Sequence, residues 1–228
     1  YVFANRESEY TTFTRINEIP EGFMETIEFE HPLVRNILTG LRRRETRPDE
    51  FRRLTYRLGF MLAVEATRNI RTEPVPIETP LERTLGEQCS DFPVLLPVLR
   101  AGLGLLAPFQ ELLPESPVTF VAMRRDEKTG EAHWLYDSIQ NLRGRDIIIL
   151  DPMLATAGTA KAVVDHVMKK GAEKVMLVSV VVAPEGVHVL EDYDNLTLIT
   201  ASVDRELNED WFILPGLGDY GDRLFDGK

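Results

Sequence analysis

Cysteine is nearly absent from this chain. Cys89 alone excludes a disulfide framework and a cysteine-based zinc site. Histidine is scarce and scattered: His31, His133, His166 and His188 show no His-Glu-x-x-His spacing, so no histidine-rich metal site is expected. Long hydrophobic runs are missing. Stretches such as Val175–Val182, with Ser179 inside, fall far short of the ~20 residues a membrane span needs. No basic-then-apolar leader opens the chain, which starts at Tyr1 without a methionine; a soluble, cytoplasmic protein is the expectation. Positive charge is in deficit, with 37 acids against 26 bases and a net charge of −11. That balance argues against nucleic acid or anionic membrane as a general partner, while leaving local arginines free to bind small anions.

What is present suits a globular α/β chain. Apolar residues make up 43% of 228 residues and charged ones 28%, enough for a sizeable core and too few charges for disorder. No repeat or linker interrupts it. Residues 1–30 carry little pattern and read as an N-terminal arm or a short strand and turn. Residues 31–71 read as helices: His31-Pro32 opens one, Thr39-Gly40 marks an interruption, and Phe51, Leu54, Leu58, Met61, Leu62 and Ala66 form an amphipathic stripe. The arginines Arg42, Arg43, Arg44, Arg47, Arg52 and Arg53 read as a solvated or subunit-contacting face. Repeated prolines from Glu73 to Pro80 force an extended segment.

From residue 92 the pattern alternates. Apolar strands at Phe92–Leu99, Val118–Met123, Ile147–Leu150, Val175–Val182 and Leu196–Ala201 are separated by helical stretches, among them Thr159–Lys170, stopped by Gly171. This predicts a mainly parallel, twisted sheet flanked by helices on both faces. Residues 124–144 are polar and rich in turn signals, and read as a lid or a hairpin.

In such a sheet, ligands bind at the carboxyl ends of the strands. After strand 147–150 comes Asp151-Pro-Met-Leu-Ala-Thr-Ala-Gly-Thr159, then a helix. Small residues let backbone wrap an anion, Thr156 and Thr159 offer hydroxyls, and a helix start adds N–H groups and a positive dipole end. This is a phosphate cradle without the Gly-x-x-x-x-Gly-Lys pattern of a Walker loop. Asp151, just before it, is set to accept hydrogen bonds from sugar hydroxyls. The plain alternative is an ordinary strand–loop–helix with Thr159 as N-cap. After strand 94–99, Arg100-Ala-Gly-Leu-Gly-Leu-Leu-Ala107 satisfies Gly-x-Gly-x-x-Ala, a weak dinucleotide signal by itself. An arginine directly before the glycines suits a pyrophosphate better than a nicotinamide cofactor.

Together these segments resemble a known family. Pro97–Gly104, Asp151–Thr156, Ala183-Pro-Glu-Gly186, Leu207-Asn-Glu209, and Pro215-Gly-Leu-Gly-Asp219 followed by Gly221-Asp-Arg223 are similar, in order, to the uracil branch of the type I phosphoribosyltransferases. The resemblance runs from about His31 to Phe225. It implies transfer of the ribosyl phosphate of phosphoribosyl pyrophosphate to uracil, giving UMP and diphosphate, with Mg²⁺ carried by the diphosphate and no direct protein ligand. It implies a type I phosphoribosyltransferase-like α/β fold with a small hood at the C-terminal end. The whole chain, 1–228, reads as one domain, divided into the arm at 1–30, helices at 31–71, core sheet at 92–203 and a uracil-binding segment at 204–228. By the same resemblance, Arg100, Arg125, Asp151 and Asp219 are the catalytic set. Pro152, Met153, Leu154, Ala155, Thr156, Ala157, Gly158 and Thr159 complete the donor site. Ile213, Gly218, Asp219 and Tyr220 present the chain to uracil. The family also implies a homodimer or higher assembly, with GTP or another nucleotide as an effector.

Four positions depart from the family pattern. Ala157 and Trp211 replace usual glycines, Arg124 a usual tyrosine, and Tyr220 a usual small residue. Ala157 and Tyr220 are the features that favour a second reading, a regulatory protein that keeps the fold to sense nucleotides. A nicotinamide-dependent oxidoreductase rests on Gly102, Gly104 and Ala107 alone. Trp134 and Tyr136 read as a subunit contact, His133, Asp165 and His166 as surface, and Leu103, Leu105, Leu106 and Phe109 as core. Cys89 has no histidine partner nearby and reads as unreactive.

Overall fold

The computed structural model describes residues 24–125 and 132–227. Along the chain run β1 (Glu25–Glu28), α1 (Pro32–Arg42), α2 (Pro48–Ala66), β2 (Thr72–Glu78), β3 (Arg83–Cys89), β4 (Val94–Leu99), α3 (Leu103–Leu112), β5 (Val121–Arg125) and β6 (Ala132–Asp137). They are followed by β7 (Ile147–Leu150), β8 (Met153–Leu154), α4 (Gly158–Lys169), β9 (Val175–Ser179), β10 (Val181–Val182), α5 (Pro184–Leu190), β11 (Leu196–Thr200), β12 (Glu206–Leu207), β13 (Ile213–Leu214) and α6 (Tyr220–Phe225).

Seven strands form one sheet in the order β1-β11-β9-β7-β4-β5-β6, parallel throughout except for the β5–β6 pair. The expected parallel architecture is therefore present. Its central strands β4, β7, β9 and β11 are buried on both faces, and their side chains alternate between two apolar cores. Ile148 and Leu150 of β7 join Leu95, Val178 and Ile199 in the core under α1, α2, α3 and α6. Ile147 and Ile149 join Leu96, Leu177 and Leu198 in the core under α4.

Helix α1 starts as expected, with His31 Nδ1 accepting the Leu33 N–H at 3.1 Å and Pro32 in the first turn. It does not break at Gly40; Val34, Ile37, Leu38 and Leu41 keep their buried stripe to Arg42. Gly59 of α2 lets α3 approach closely, because a Cβ there would stand 2.4 Å from Pro108. Leu103 is 39% exposed, so it does not join Leu105 and Phe109 in the core as expected.

Three segments were left open or incomplete by the sequence. Glu25–Glu28, within the expected arm, is an edge strand paired in parallel with β11. The proline-rich segment is extended as predicted, but it pairs with β3 to make an exposed hairpin ending at Cys89. Strands β5 and β6 pair antiparallel, with a register shift between Ala122 and Met123, the hairpin alternative for this region. Residues 126–131 of the expected lid lie outside the described residues, as do residues 1–23 of the arm. Among the described residues no helix is long and apolar enough to cross a membrane.

The turn from β4 into α3 sets the first wall of the candidate site. A Cβ on Gly102 would stand 2.3 Å from Leu150 O and 2.6 Å from Val98 N, so backbone occupies the space of a side chain. Gly102→Ala should therefore destabilise the protein by about 1–3 kcal/mol, as overpacking against backbone does. Thermal denaturation checks this, and an unchanged melting temperature would contradict the close approach.

Candidate active site

The carboxyl ends of β4 and β7 open into a cleft of about 240 Å³ lined by Arg100, Ala101, Met123, Asp151 and residues 153–160. Arg100, Asp151 and the predicted phosphate loop are thus brought together. The loop is held by its own backbone. Asp151 N–H donates to Val178 O at 3.1 Å, Val180 N–H to Pro152 O at 2.8 Å, and Ala183 N–H to Leu154 O at 2.8 Å. The Ser179 hydroxyl donates to Asp151 O at 2.6 Å. Short strands β8 and β10 extend this tie in register, Met153 with Val181 and Leu154 with Val182. Gly186 then packs α5 onto the loop, since a Cβ there would stand 2.3 Å from Ala155 O.

The N-terminus of α4 points the cradle. Its N-cap is Ala157, not Thr159, and no side chain caps it. The first N–H groups of a helix have no intrahelical acceptors, so an uncapped start that faces a cleft is a ready anion site. Ala157 adopts φ 60°, the left-handed region in which glycine is at ease. The cost for a non-glycine residue is about 1–2 kcal/mol. The residue is buried in the core under α4, and burial of one methyl recovers about 0.8 kcal/mol. Alanine is accommodated because these two effects nearly offset each other. Trp211 also has a positive φ, 64°, but is 60% exposed and recovers little.

Asp151 sits at the cleft floor. Loss of hydration pushes its carboxyl up to about 7, against a lowering by the Met153 N–H that it accepts. Arg100 is exposed and stands 3.7 Å from Asp222 of α6, a loose contact that links the cleft to the C-terminal segment. The structure places the Arg125 backbone at the end of β5, in register with Ala132.

The expected base-binding residues lie apart from this cleft, in the C-terminal turn. Ile213 is buried in β13, and Gly218 has φ 80°. Asp219 is exposed and accepts the Asp222 N–H at 2.8 Å, capping α6. The Tyr220 ring points into the core, edge-on to Phe51 at 5.1 Å, and its hydroxyl donates to Thr55 Oγ1 at 3.0 Å. Only its backbone faces the turn's own side of the chain.

Other residues read differently in three dimensions. His166 is not idle surface: its Nε2 lies 2.8 Å from Asp137 Oδ2 and its ring 4.8 Å from that of Trp134, joining the β5–β6 hairpin to α4. Trp134 thus makes one contact within its own chain and remains 40% exposed. Asp165 bonds Tyr193 and Lys161. Arg42 and Arg52, read as solvated, instead hold the C-terminal segment. Arg42 pairs with buried Asp204, and Arg52 donates to Leu224 O at 2.9 Å. A signal existed for Arg42, because it follows Val34 and Leu38 at four-residue spacing on the buried stripe.

A carboxyl raised to about 7 is most favourable to the fold when neutral. That contribution is complete below the ordinary carboxylate range and is lost as pH rises through about 7. Asp151→Asn should therefore gain stability relative to wild type between pH 5 and pH 8. Melting temperatures at the two values check this; a pH-independent difference would contradict the burial argument.

Comparison with known proteins shows the family and the fold. The chain matches the family described as uracil phosphoribosyltransferase over residues 28–227. A uracil phosphoribosyltransferase of Arthrobacter sp. (strain FB24) is 44% identical over 89% of this chain and 98% of its own. One from Streptomyces griseus is 46% identical over 86% and 95%. Among solved structures, the AQ2163 protein of Aquifex aeolicus superposes with a TM-score of 0.83 at 34% identity, over 88% of this chain and 97% of that one.

Proposed function

The chain belongs to the uracil phosphoribosyltransferase family, and on that basis we propose that it transfers the 5-phosphoribosyl group of phosphoribosyl pyrophosphate to uracil, releasing UMP and diphosphate. The observation that carries this reading is the uncapped start of α4 beside a half-buried, poorly hydrated carboxylate and an exposed arginine. The cradle binds the 5-phosphate through backbone N–H groups and threonine hydroxyls. Asp151 accepts hydrogen bonds from the ribose hydroxyls, which replace its lost water and favour its charged form. Much of the rate then comes from holding the sugar in position.

Cleavage of the bond from ribose C1 to diphosphate builds positive charge on the ring and negative charge on the leaving group. Arg100 is placed to meet the latter. Its contact with Asp222 is exposed and long, so it costs little to exchange for diphosphate. Arg125, at the end of β5, is the second arginine assigned to the departing diphosphate on this reading. Among the described residues no three carboxylates, imidazoles or thiols converge on a cation. The cleft's N–H and hydroxyl donors suit diphosphate oxygens, which would carry Mg²⁺ and share their charge with it.

Residues 204–228 form the base-binding segment on this reading, with backbone groups at Ile213 and Gly218–Tyr220 facing uracil and Asp219 beside the reacting ribose. Tyr220 contributes no ring to the site, which weakens the nucleotide-sensor alternative. We further propose a homodimer or larger assembly in the cytoplasm. The β2–β3 hairpin supports it: Leu81 is 95% and Leu85 70% exposed, and an isolated two-stranded ribbon is marginal in water.

Backbone donors and acceptors cannot rotate to suit another base. Cytosine exchanges an acceptor for a donor and would leave buried groups opposed, at about 1–3 kcal/mol each. Orotate adds a carboxylate near Asp219. One competition assay of uracil, cytosine, orotate and a purine tests the proposal. UMP formation dominating is the expected result; comparable rates, or use of the purine, would overturn it.

A further inference from the structure

Gly216 lies in the middle of the C-terminal turn, and both of its backbone polar groups are bound by one buried ion pair. Its N–H donates to Asp204 Oδ2 at 2.8 Å, and its carbonyl accepts from Arg42 Nη1 at 2.7 Å. The pair itself is bidentate, Nη1 to Oδ2 at 2.8 Å and Nη2 to Oδ1 at 2.5 Å. Ser202 Oγ donates to Oδ1 at 3.0 Å, so four donors converge on one carboxylate. The Asp204 side chain is 2% exposed and that of Arg42 is 23% exposed. Only glycine fits at this position, since its φ is 60° and a Cβ would stand 2.1 Å from Ile213 O.

From this we infer that Arg42 and Asp204 are positioning residues for base recognition: they fix the turn from Ile213 to Asp219 so that its backbone groups keep one orientation towards uracil. Neither residue lines the donor cleft. The inference rests on the assignment of that turn as the uracil site. Its physical basis is the way the pair is built. A buried ion pair is a poor source of stability, because desolvation offsets most of its attraction, but a fork of fixed donors holds geometry well. Here the fork reaches from α1 across to the turn, and it holds the residue two positions before Gly218. Arg223 adds a second hold, donating through Nη1 to Leu217 O at 2.7 Å and packing over Phe51 at 4.5 Å.

Asparagine cannot replace Asp204 without conflict. Its single acceptor oxygen and its amide donors would face four donors, so either the fork or the Gly216 N–H loses its partner. The expected result for Asp204→Asn is a rise of about tenfold or more in the KM for uracil, equivalent to about 1.4 kcal/mol or more. The affinity for phosphoribosyl pyrophosphate, measured by titration calorimetry without uracil, should stay within about twofold of wild type. Selectivity for uracil over cytosine should also fall. Arg42→Lys retains the charge but not the fork, and should lie between wild type and Arg42→Gln. Gly218→Ala serves as the control for the site itself. If it raises the uracil KM while Asp204→Asn and Arg42→Gln do not, the positioning role is overturned. If Gly218→Ala has no effect either, the uracil-site assignment falls and the inference with it. Equal loss of donor and uracil affinity in both Asp204→Asn and Arg42→Lys would reduce the pair to general support and overturn it as well.

Discussion

The turn after β7 is tied to its neighbour by its own carbonyl groups. Asp151, Pro152 and Leu154 each give their oxygen to a donor in the segment from Ser179 to Ala183. With the carbonyls used in this way, the start of α4 is left to face the cleft without a side-chain cap. The other features of the site depend on that arrangement. Gly102 brings the β4 turn against Leu150, and Gly186 brings α5 against Ala155, so the cradle is enclosed by backbone on two sides. The same enclosure removes water from Asp151 and raises its carboxyl to about 7.

Stability is conceded at the site and recovered around it. Asp151 is costly to ionise in the free protein, and Ala157 holds a left-handed conformation. Both follow the carboxyl end of β7, a central strand buried on two faces, which leaves the cradle little freedom to relax. The C-terminal segment is built differently. It has few regular elements, and its geometry comes from Arg42 on α1 and Arg52 on α2, both distant in sequence, together with Arg223 on α6 itself. Backbone ties therefore fix the donor half, whereas charged side chains fix the other half.

That difference explains what was legible in the sequence. The strands of the core and the loop from Asp151 to Thr159 could be read directly, because period-two and apolar-run signals coincide with small residues at a strand end. The family resemblance also marked residue 157, where alanine replaces a usual glycine and the chain turns left-handed. Less could be read where long-range pairing decides. Nothing local distinguishes Glu25–Glu28 as a strand, since its partner β11 lies far along the chain. Arg42 looked like one of several solvated arginines, and only its spacing from Val34 and Leu38 pointed inward. His166 gained its role from Asp137 and Trp134 on β6, a long-range contact that no local pattern announces.

The central claim is that donor binding places sugar hydroxyls on a carboxylate held near neutral by burial. Calorimetric titration of phosphoribosyl pyrophosphate at pH 6, in buffers of different ionisation enthalpy, counts the protons exchanged. Below about 7 Asp151 is mostly protonated in the free protein, so binding that favours its charged form must release a proton. The account predicts greater proton release by the wild type than by Asp151→Asn, with the excess fading by pH 8. Identical proton counts for the two proteins at pH 6 would contradict it.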